Sequence, residues 1–290
     1  MACKTWLVEN ERFQLKIAER GGELASLWDK KLHREWIWQP QEKIWNNSAT
    51  QLFPVVGRLI HGGVWQGEEF FSLPNHGFLR YQSFVCAKKY SSGLVLEAGA
   101  NDATLALWPW RWRIEASIEL TDDGLIFHQQ VFNEDSEPFW FSVGWHPGFA
   151  LPVAEQSGWQ VKFGYKAVNG PFPTCDRTLI VPEYASPTEF FTLQDKSFSQ
   201  GAIYFDNSQN QRIQVCSPEG GKVIEIETSE YSWLALWGIP GANFLCIEPL
   251  AGTTDAPDFN GQAAYKRGMQ LLGSSQNRIF TVRLRFPLDA

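Results

Sequence analysis

The stretch Trp108-Pro-Trp-Arg-Trp-Arg-Ile-Glu-Ala-Ser-Ile-Glu-Leu120 decides the fold class. Its even positions, Trp108, Trp110, Trp112, Ile114, Ala116, Ile118 and Leu120, are apolar. Its odd positions are Pro109, Arg111, Arg113, Glu115, Ser117 and Glu119. Successive side chains of a strand point to opposite faces, so this reads as one long half-buried strand with a polar face. Outward from it, Thr121 to Gly124 turns the chain into a second strand, Leu125 to Phe132. Asn133 to Pro138 turns it again into the apolar run Phe139 to Val143. That run is expected to break at Gly144 and to present His146 at its mouth, with Pro147 holding the histidine extended.

The same period recurs toward both ends. Phe13 to Ile17 alternates, stops at Gly21-Gly22 and returns as Leu24 to Trp28. Val64 to Phe71 reads as a hairpin turning at Gln66 to Glu69, and Phe84 to Ala87 and Leu94 to Ala98 flank a Ser91-Ser-Gly93 turn. Further strands are expected at Lys222 to Thr228, Trp233 to Trp237, Phe244 to Ile247 and Phe280 to Phe286. Helix signals are confined to one short turn in Ser48 to Arg58 and a short cap at Ser186-Pro-Thr-Glu189. No repeat or linker splits the chain. The expectation is an all-β, antiparallel sandwich formed as one domain over residues 1–290.

Composition narrows the function. Hydrophobic residues make up 44% of the chain and charged residues 20%, which supports a substantial core. The net charge of -7 and the absence of a basic block disfavour nucleic acid or an anionic membrane as a partner. The five cysteines (Cys3, Cys86, Cys175, Cys216 and Cys246) are odd in number and widely spaced, without CxxC. A reducing, cytoplasmic setting is expected, with neither a signal-peptide core at the N-terminus nor a membrane-length apolar run. The 14 tryptophans supply core mass and flat surfaces suited to sugar faces.

Three stretches place polar groups where strand meets loop: Leu73-Pro-Asn-His-Gly-Phe-Leu-Arg80, Gly144-Trp-His-Pro-Gly-Phe149 and Phe244-Leu-Cys-Ile-Glu-Pro-Leu-Ala-Gly252. Glu248 ends an apolar run, and a carboxylate there is costly unless it meets a partner or a cleft. Arg58 and Arg80 are candidate sugar or anion ligands. His61, His128 and His33 read as structural or exposed. No HExxH, HxH, CxxC, GxSxG or phosphate-loop spacing occurs, so neither a metal, a serine nucleophile nor a nucleotide cofactor is expected. General acid–base chemistry by histidine and glutamate remains.

With Pro54-Val-Val-Gly-Arg58 added, these motifs in this order resemble the aldose 1-epimerase (galactose mutarotase-like) family, and within it the bacterial LacX-type pattern. The resemblance implies a β-supersandwich with an open concave sugar-binding face and no cofactor. It implies His146 as the general acid at the ring oxygen and Glu248 as the base at the anomeric hydroxyl. His76 and Arg58 would bind the sugar; Arg80 stays a candidate ligand read from the residues alone. The hydroxyl-binding aspartate of the better-known mutarotases has no motif here, and Asp206 in Tyr204-Phe-Asp-Asn207 is put forward for it. Leu79 and Leu250 depart from the branch pattern and leave sugar preference open. An ionised Glu248 beside His146 is expected to keep the imidazole protonated near neutral pH.

The substrate expected on this basis is a free hexose, handled by a monomer or homodimer. A hexose 6-phosphate, held by Arg58 and Arg80, is the alternative within the family. A non-catalytic carbohydrate-binding protein on the same fold is the alternative outside it. A glycoside hydrolase fits less well, since only one carboxylate is anchored by a motif.

Overall fold

The computed structural model describes residues 4–194, 196–209 and 212–288; Cys3 lies outside them. Two large antiparallel sheets dominate the described residues. A nine-stranded sheet contains the alternating strands Trp112–Leu120 and Gly124–Asn133, flanked by Gly93–Gly99 and the closing strand Asn277–Arg285. A seven-stranded sheet runs in the order Pro187–Thr188, Val168–Pro173, Ile203–Asp206, Trp233–Trp237, Leu245–Ala251, Val143–Phe149 and Ala49–Leu52. The all-β reading holds.

The core lies between these two sheets. Phe127 of the nine-stranded sheet meets Trp145 of the seven-stranded one, and Phe163 meets Phe205. Trp145 and Ile247 face this core. The period of two then turns His146 and Glu248 to the opposite face, away from the core. The opposite face of the seven-stranded sheet thus carries His146 and Glu248 beside two smaller apolar clusters, one including Leu52, Tyr204, Ala235 and Leu250 and one including Trp38, Phe244 and Cys246.

Several local expectations are corrected. The strand read from Trp108 begins at Trp112. Upstream, Asn101 caps the single-turn helix Asp102–Leu105 with a capping box, and the Trp108 N–H donates to the Thr104 carbonyl. Trp108 is buried by this turn, so its apolar character mimicked strand alternation. The run Phe139 to Val143 breaks at Ser142, not at Gly144. Ser142 leaves the ladder because its N–H donates to the Pro54 carbonyl and its hydroxyl accepts from the Val56 N–H. His146 therefore lies inside the strand Val143–Phe149, and Glu248 inside Leu245–Ala251, rather than at strand ends. Ser48 to Arg58 holds the edge strand Ala49–Leu52 instead of a helical turn, and Ser186 to Glu189 holds the short strand Pro187–Thr188.

Candidate active site

The floor of the site follows from strand register. Gly144 pairs with Leu250 and Gly148 with Cys246, so the register carried between them sets His146 opposite Glu248. Between those pairs the ladder is open. Pro147 and Pro249 fall in this gap, and neither has an N–H to donate. The two His-Pro and Glu-Pro motifs, about a hundred residues apart in sequence, are thus the two halves of one cross-strand pair. On the next strands Ala235 lies opposite Glu248 and Tyr204 opposite Ala235, so the row continues to Tyr204.

His146 Nε2 and Glu248 Oε1 are 3.3 Å apart, with side chains 12% and 4% exposed. The setting is apolar. Trp45 lies over the imidazole at 5.2 Å between centroids, and Trp237 meets it edge-on at 5.7 Å. Trp45 is itself stacked on Phe244. A Cβ at position 148 would come within 2.5 Å of the Trp45 ring, so the glycine of His-Pro-Gly is what lets the indole lie beside the histidine. Burial pushes the Glu248 carboxyl up to about 8. Burial also pushes the His146 imidazole down to about 4, with the nearby Arg80 charge adding to it. This corrects the expectation of an imidazolium held beside a carboxylate. Removal from water outweighs the mutual attraction, and near neutral pH the pair holds one proton and no net charge.

Because the Trp45 indole is one of the groups that cover the histidine, Trp45→Ala is expected to move the His146 titration upward from about 4 toward its ordinary 6.5, with Trp45→Phe moving it less. NMR titration of the imidazole checks this. An unchanged titration would remove Trp45 from the account.

His76 stands edge-on to His146 at 5.9 Å between centroids. Its backbone is left-handed, with φ of 64°, and its N–H donates to the Gly57 carbonyl. The Gly57 N–H in turn donates to His76 Nδ1, at 3.3 Å. That contact places the proton of the neutral ring on Nε2. Burial, followed by the charges of His146 and Arg80, holds His76 well below the ordinary imidazole range. It is a neutral hydrogen-bond donor. Gly77, with φ of 68°, follows in Pro74-Asn-His-Gly77, and a Cβ there would overlap the Phe53 carbonyl oxygen.

The arginine wall is organised from below by Asp255. This buried carboxylate pairs with Lys266 and accepts from the Ile60 N–H. The Asp255 N–H donates to the Arg58 carbonyl. Thr254 Oγ1 accepts from the Arg58 N–H and donates to the Arg177 carbonyl, which ties the two arginine segments together. Arg58 Nη1 donates to the Asp176 carbonyl, and Arg80 Nη2 to the Asn75 carbonyl.

These groups surround a cavity of about 490 Å³. His146, Glu248, His76, Arg58 and Arg80 all line it. Asp206 does not; it sits at the end of its strand, where its carboxylate accepts from the Ser208 N–H. Trp45, Trp237, Tyr204, Arg177, Gln200 and Thr174 line the cavity without having been singled out from the sequence. Tyr204 had a usable signal, since it lies two residues before Asp206 on the same strand face. The others sit in no motif. No group of three or more metal-binding side chains occurs among the described residues, and no helix there is long and apolar enough to cross a membrane.

Comparison with known proteins places the fold and the family. Over 267 residues the chain is 23% identical to the plasmid-encoded protein LacX of Lactococcus lactis subsp. lactis, covering 84% of this chain and 87% of that one. The galactose mutarotase-like protein of Lactobacillus casei superimposes with a TM-score of 0.88 at 25% identity, over 98% of this chain and 100% of the other. The galactose mutarotase related enzyme of Lactobacillus acidophilus gives 0.89 at 22% identity, over 99% and 98%. The sequence pattern of the family described as aldose 1-epimerase matches residues 4–258, and the chain belongs to that family.

Proposed function

We propose that the protein interconverts the α and β anomers of a hexose by acid–base ring opening and closure, without a cofactor. The family supports an epimerase acting on carbohydrate. The observation that carries the finer reading is the cross-strand His146–Glu248 pair on the cavity floor.

Ring opening needs two proton movements. Glu248 as carboxylate takes the proton from the anomeric hydroxyl, and His146 as imidazolium gives one to the ring oxygen. The C1–O5 bond breaks, and the electron pair left on O1 forms the aldehyde. Rotation about C1–C2 followed by the reverse proton movements closes the ring on the other face. The net result is one proton moved from His146 to Glu248 and back, so the pair needs a single proton throughout. In the free protein burial favours that proton on the carboxyl. A sugar hydroxyl donating to Glu248 stabilises its carboxylate and returns the proton to His146. His76 presents a neutral N–H to the sugar. The Trp45 and Trp237 faces suit the apolar side of a pyranose.

The test is anomerisation of freshly dissolved α-glucose and α-galactose, followed by polarimetry or exchange NMR with and without protein. Acceleration is expected; a rate equal to the spontaneous one for every aldose tried would remove the reading. The single-proton requirement also sets the pH dependence. Activity in kcat/KM is expected to follow a bell, rising through about pH 4 as the pair loses its second proton and falling through about pH 8 as it loses the last. A profile flat between those limits and beyond them would show that the pair's proton is not used.

A further inference from the structure

Among the described residues three hydroxyl side chains line the cavity: Thr174, Tyr204 and Thr254. Thr174 gives its proton to backbone carbonyls, with Ala202 O at 2.9 Å and Gln200 O at 3.2 Å. Thr254 gives its own to the Arg177 carbonyl, 2.8 Å away. Tyr204 differs. Its hydroxyl oxygen accepts from the Thr254 N–H at 3.4 Å, but among the described residues its proton goes to no acceptor. The residue is only 4% exposed, so a buried phenol with an unused proton forms part of the cavity wall. A buried donor without a partner is unfavourable, and a ligand that supplies an acceptor relieves it. We propose that Tyr204 reads the second carbon of the substrate: it donates to the 2-oxygen of the bound sugar and makes the protein specific for aldoses that carry a hydroxyl at C2. The inference rests on the anomerase reading and names its substrate class.

Strand register puts Tyr204 on the side where that oxygen must lie. The floor row runs Thr50, His146, Glu248, Ala235, Tyr204. Neighbouring strands are about 4.8 Å apart, and only the methyl group of Ala235 stands between Glu248 and Tyr204 in the row. The reaction holds O5 at His146 and O1 at Glu248. O1 and C2 are both carried on C1, and both point away from O5. O2 is the one hydroxyl vicinal to O1. It therefore lies beyond Glu248 as seen from His146, toward Tyr204. The substituent on C5 stays on the His146 side, next to the ring oxygen.

The phenol is suited to give and not to receive. Burial first, and then the nearby Glu248, raise it above the ordinary tyrosine range, so it keeps its proton at neutral pH. An aspartate in this place would only accept, whereas the phenol oxygen is already engaged by the Thr254 N–H and is left to donate. Its ring is held by an apolar cluster with Leu52, Val56, Phe172 and Leu250, and its backbone is paired on both sides, to Phe172 and to Ala235. A sugar with two hydrogens at C2 leaves this fixed donor unmet, and a site built around a substrate hydroxyl discriminates against the analogue that lacks it.

The experiment measures kcat/KM for anomerisation of glucose and galactose and of their 2-deoxy forms, by exchange NMR, with wild type and Tyr204→Phe. Each pair of sugars differs in intrinsic reactivity at C1, but that difference cancels when the wild-type preference is divided by the variant's. The quotient should be about ten- to a hundredfold, with the loss in Tyr204→Phe falling on the 2-hydroxy sugars. Phenylalanine keeps the ring and its packing, and circular dichroism confirms the fold. A quotient near one overturns the inference and leaves the anomerase reading standing; equal losses on both sugars would make the phenol a partner of Glu248 and not of the substrate. If no sugar is turned over, calorimetric binding of the same sugars to both proteins decides. A 2-hydroxy preference lost in Tyr204→Phe would sustain the contact and remove the reaction. Absence of that preference, or of binding, would remove the contact as well.

Discussion

Glu248→Gln and His146→Ala are each expected to lower kcat/KM for anomerisation by about 10²–10⁴-fold, the usual contribution of one positioned acid or base. The two groups share one proton across a 3.3 Å gap, and the ring cannot open unless one proton leaves O1 while another reaches O5. Losing either end therefore disables the pair. The double variant is expected to be scarcely slower than the worse single one, as is usual for groups that act as a unit. The loss should fall mainly on kcat. In Glu248→Gln the amide keeps the size and a hydrogen-bonding oxygen of the carboxyl, so ground-state binding changes little, whereas proton acceptance is abolished. Polarimetry against the spontaneous rate reads kcat and KM separately, and circular dichroism confirms the fold. If either folded single variant worked within a few-fold of wild type, the pair would not be the chemistry. A loss confined to KM would make Glu248 a binding group only.

The contrast between what the chain reveals in one dimension and in three is clearest at this pair. The histidine and the glutamate are visible in sequence because each precedes a proline within an apolar run. What is not visible is that their strands are neighbours in register, because nothing local encodes which strands pair. Their position inside a strand was hidden for a related reason. Leu245–Ala251 is buried at every position, so no alternation marks where it ends. The long strands Trp112–Leu120 and Gly124–Asn133 were legible because each repeats the two-residue period several times. The two-residue strand Pro187–Thr188 gives no such period. Trp45, Trp237 and Arg177 come from loops or strand positions without a motif, and only the folded chain gathers them on one cavity. The charge state of His146 was misjudged for an energetic reason. From sequence, two opposite charges attract; in the structure, two indoles and the core around them make desolvation the larger effect.

That same desolvation predicts that Glu248→Gln stabilises the fold while it stops the reaction. The folded Glu248 carboxyl titrates at about 8 against 4.5 for the ordinary group, so its neutral form is the one the structure favours. The stability associated with that form is fully present below pH 4.5 and is lost progressively as pH rises toward 8, because the unfolded chain gives up its proton first. At pH 7 the loss amounts to about 2–3 kcal/mol, allowing for partial relaxation of a shift worth 1.36 kcal/mol per pH unit. Gln cannot ionise and escapes it. The variant should therefore exceed wild type by about 2–3 kcal/mol in denaturant unfolding at pH 7, and by less than about 1 kcal/mol at pH 5. His146 contributes the opposite slope. Its folded titration at about 4 against 6.5 gives stability that is present above pH 6.5 and lost as pH falls through 4, so wild-type stability is squeezed from both sides. Comparing the two proteins at pH 5 and pH 7 isolates the Glu248 part. Equal stabilities at both pH values would mean that Glu248 is ionised in the folded protein, and the pair would then be the imidazolium–carboxylate read first from the sequence. A gain that grows with pH places the cost of keeping a carboxyl in an apolar wall on the proposed base itself, as expected where function and stability compete for one side chain.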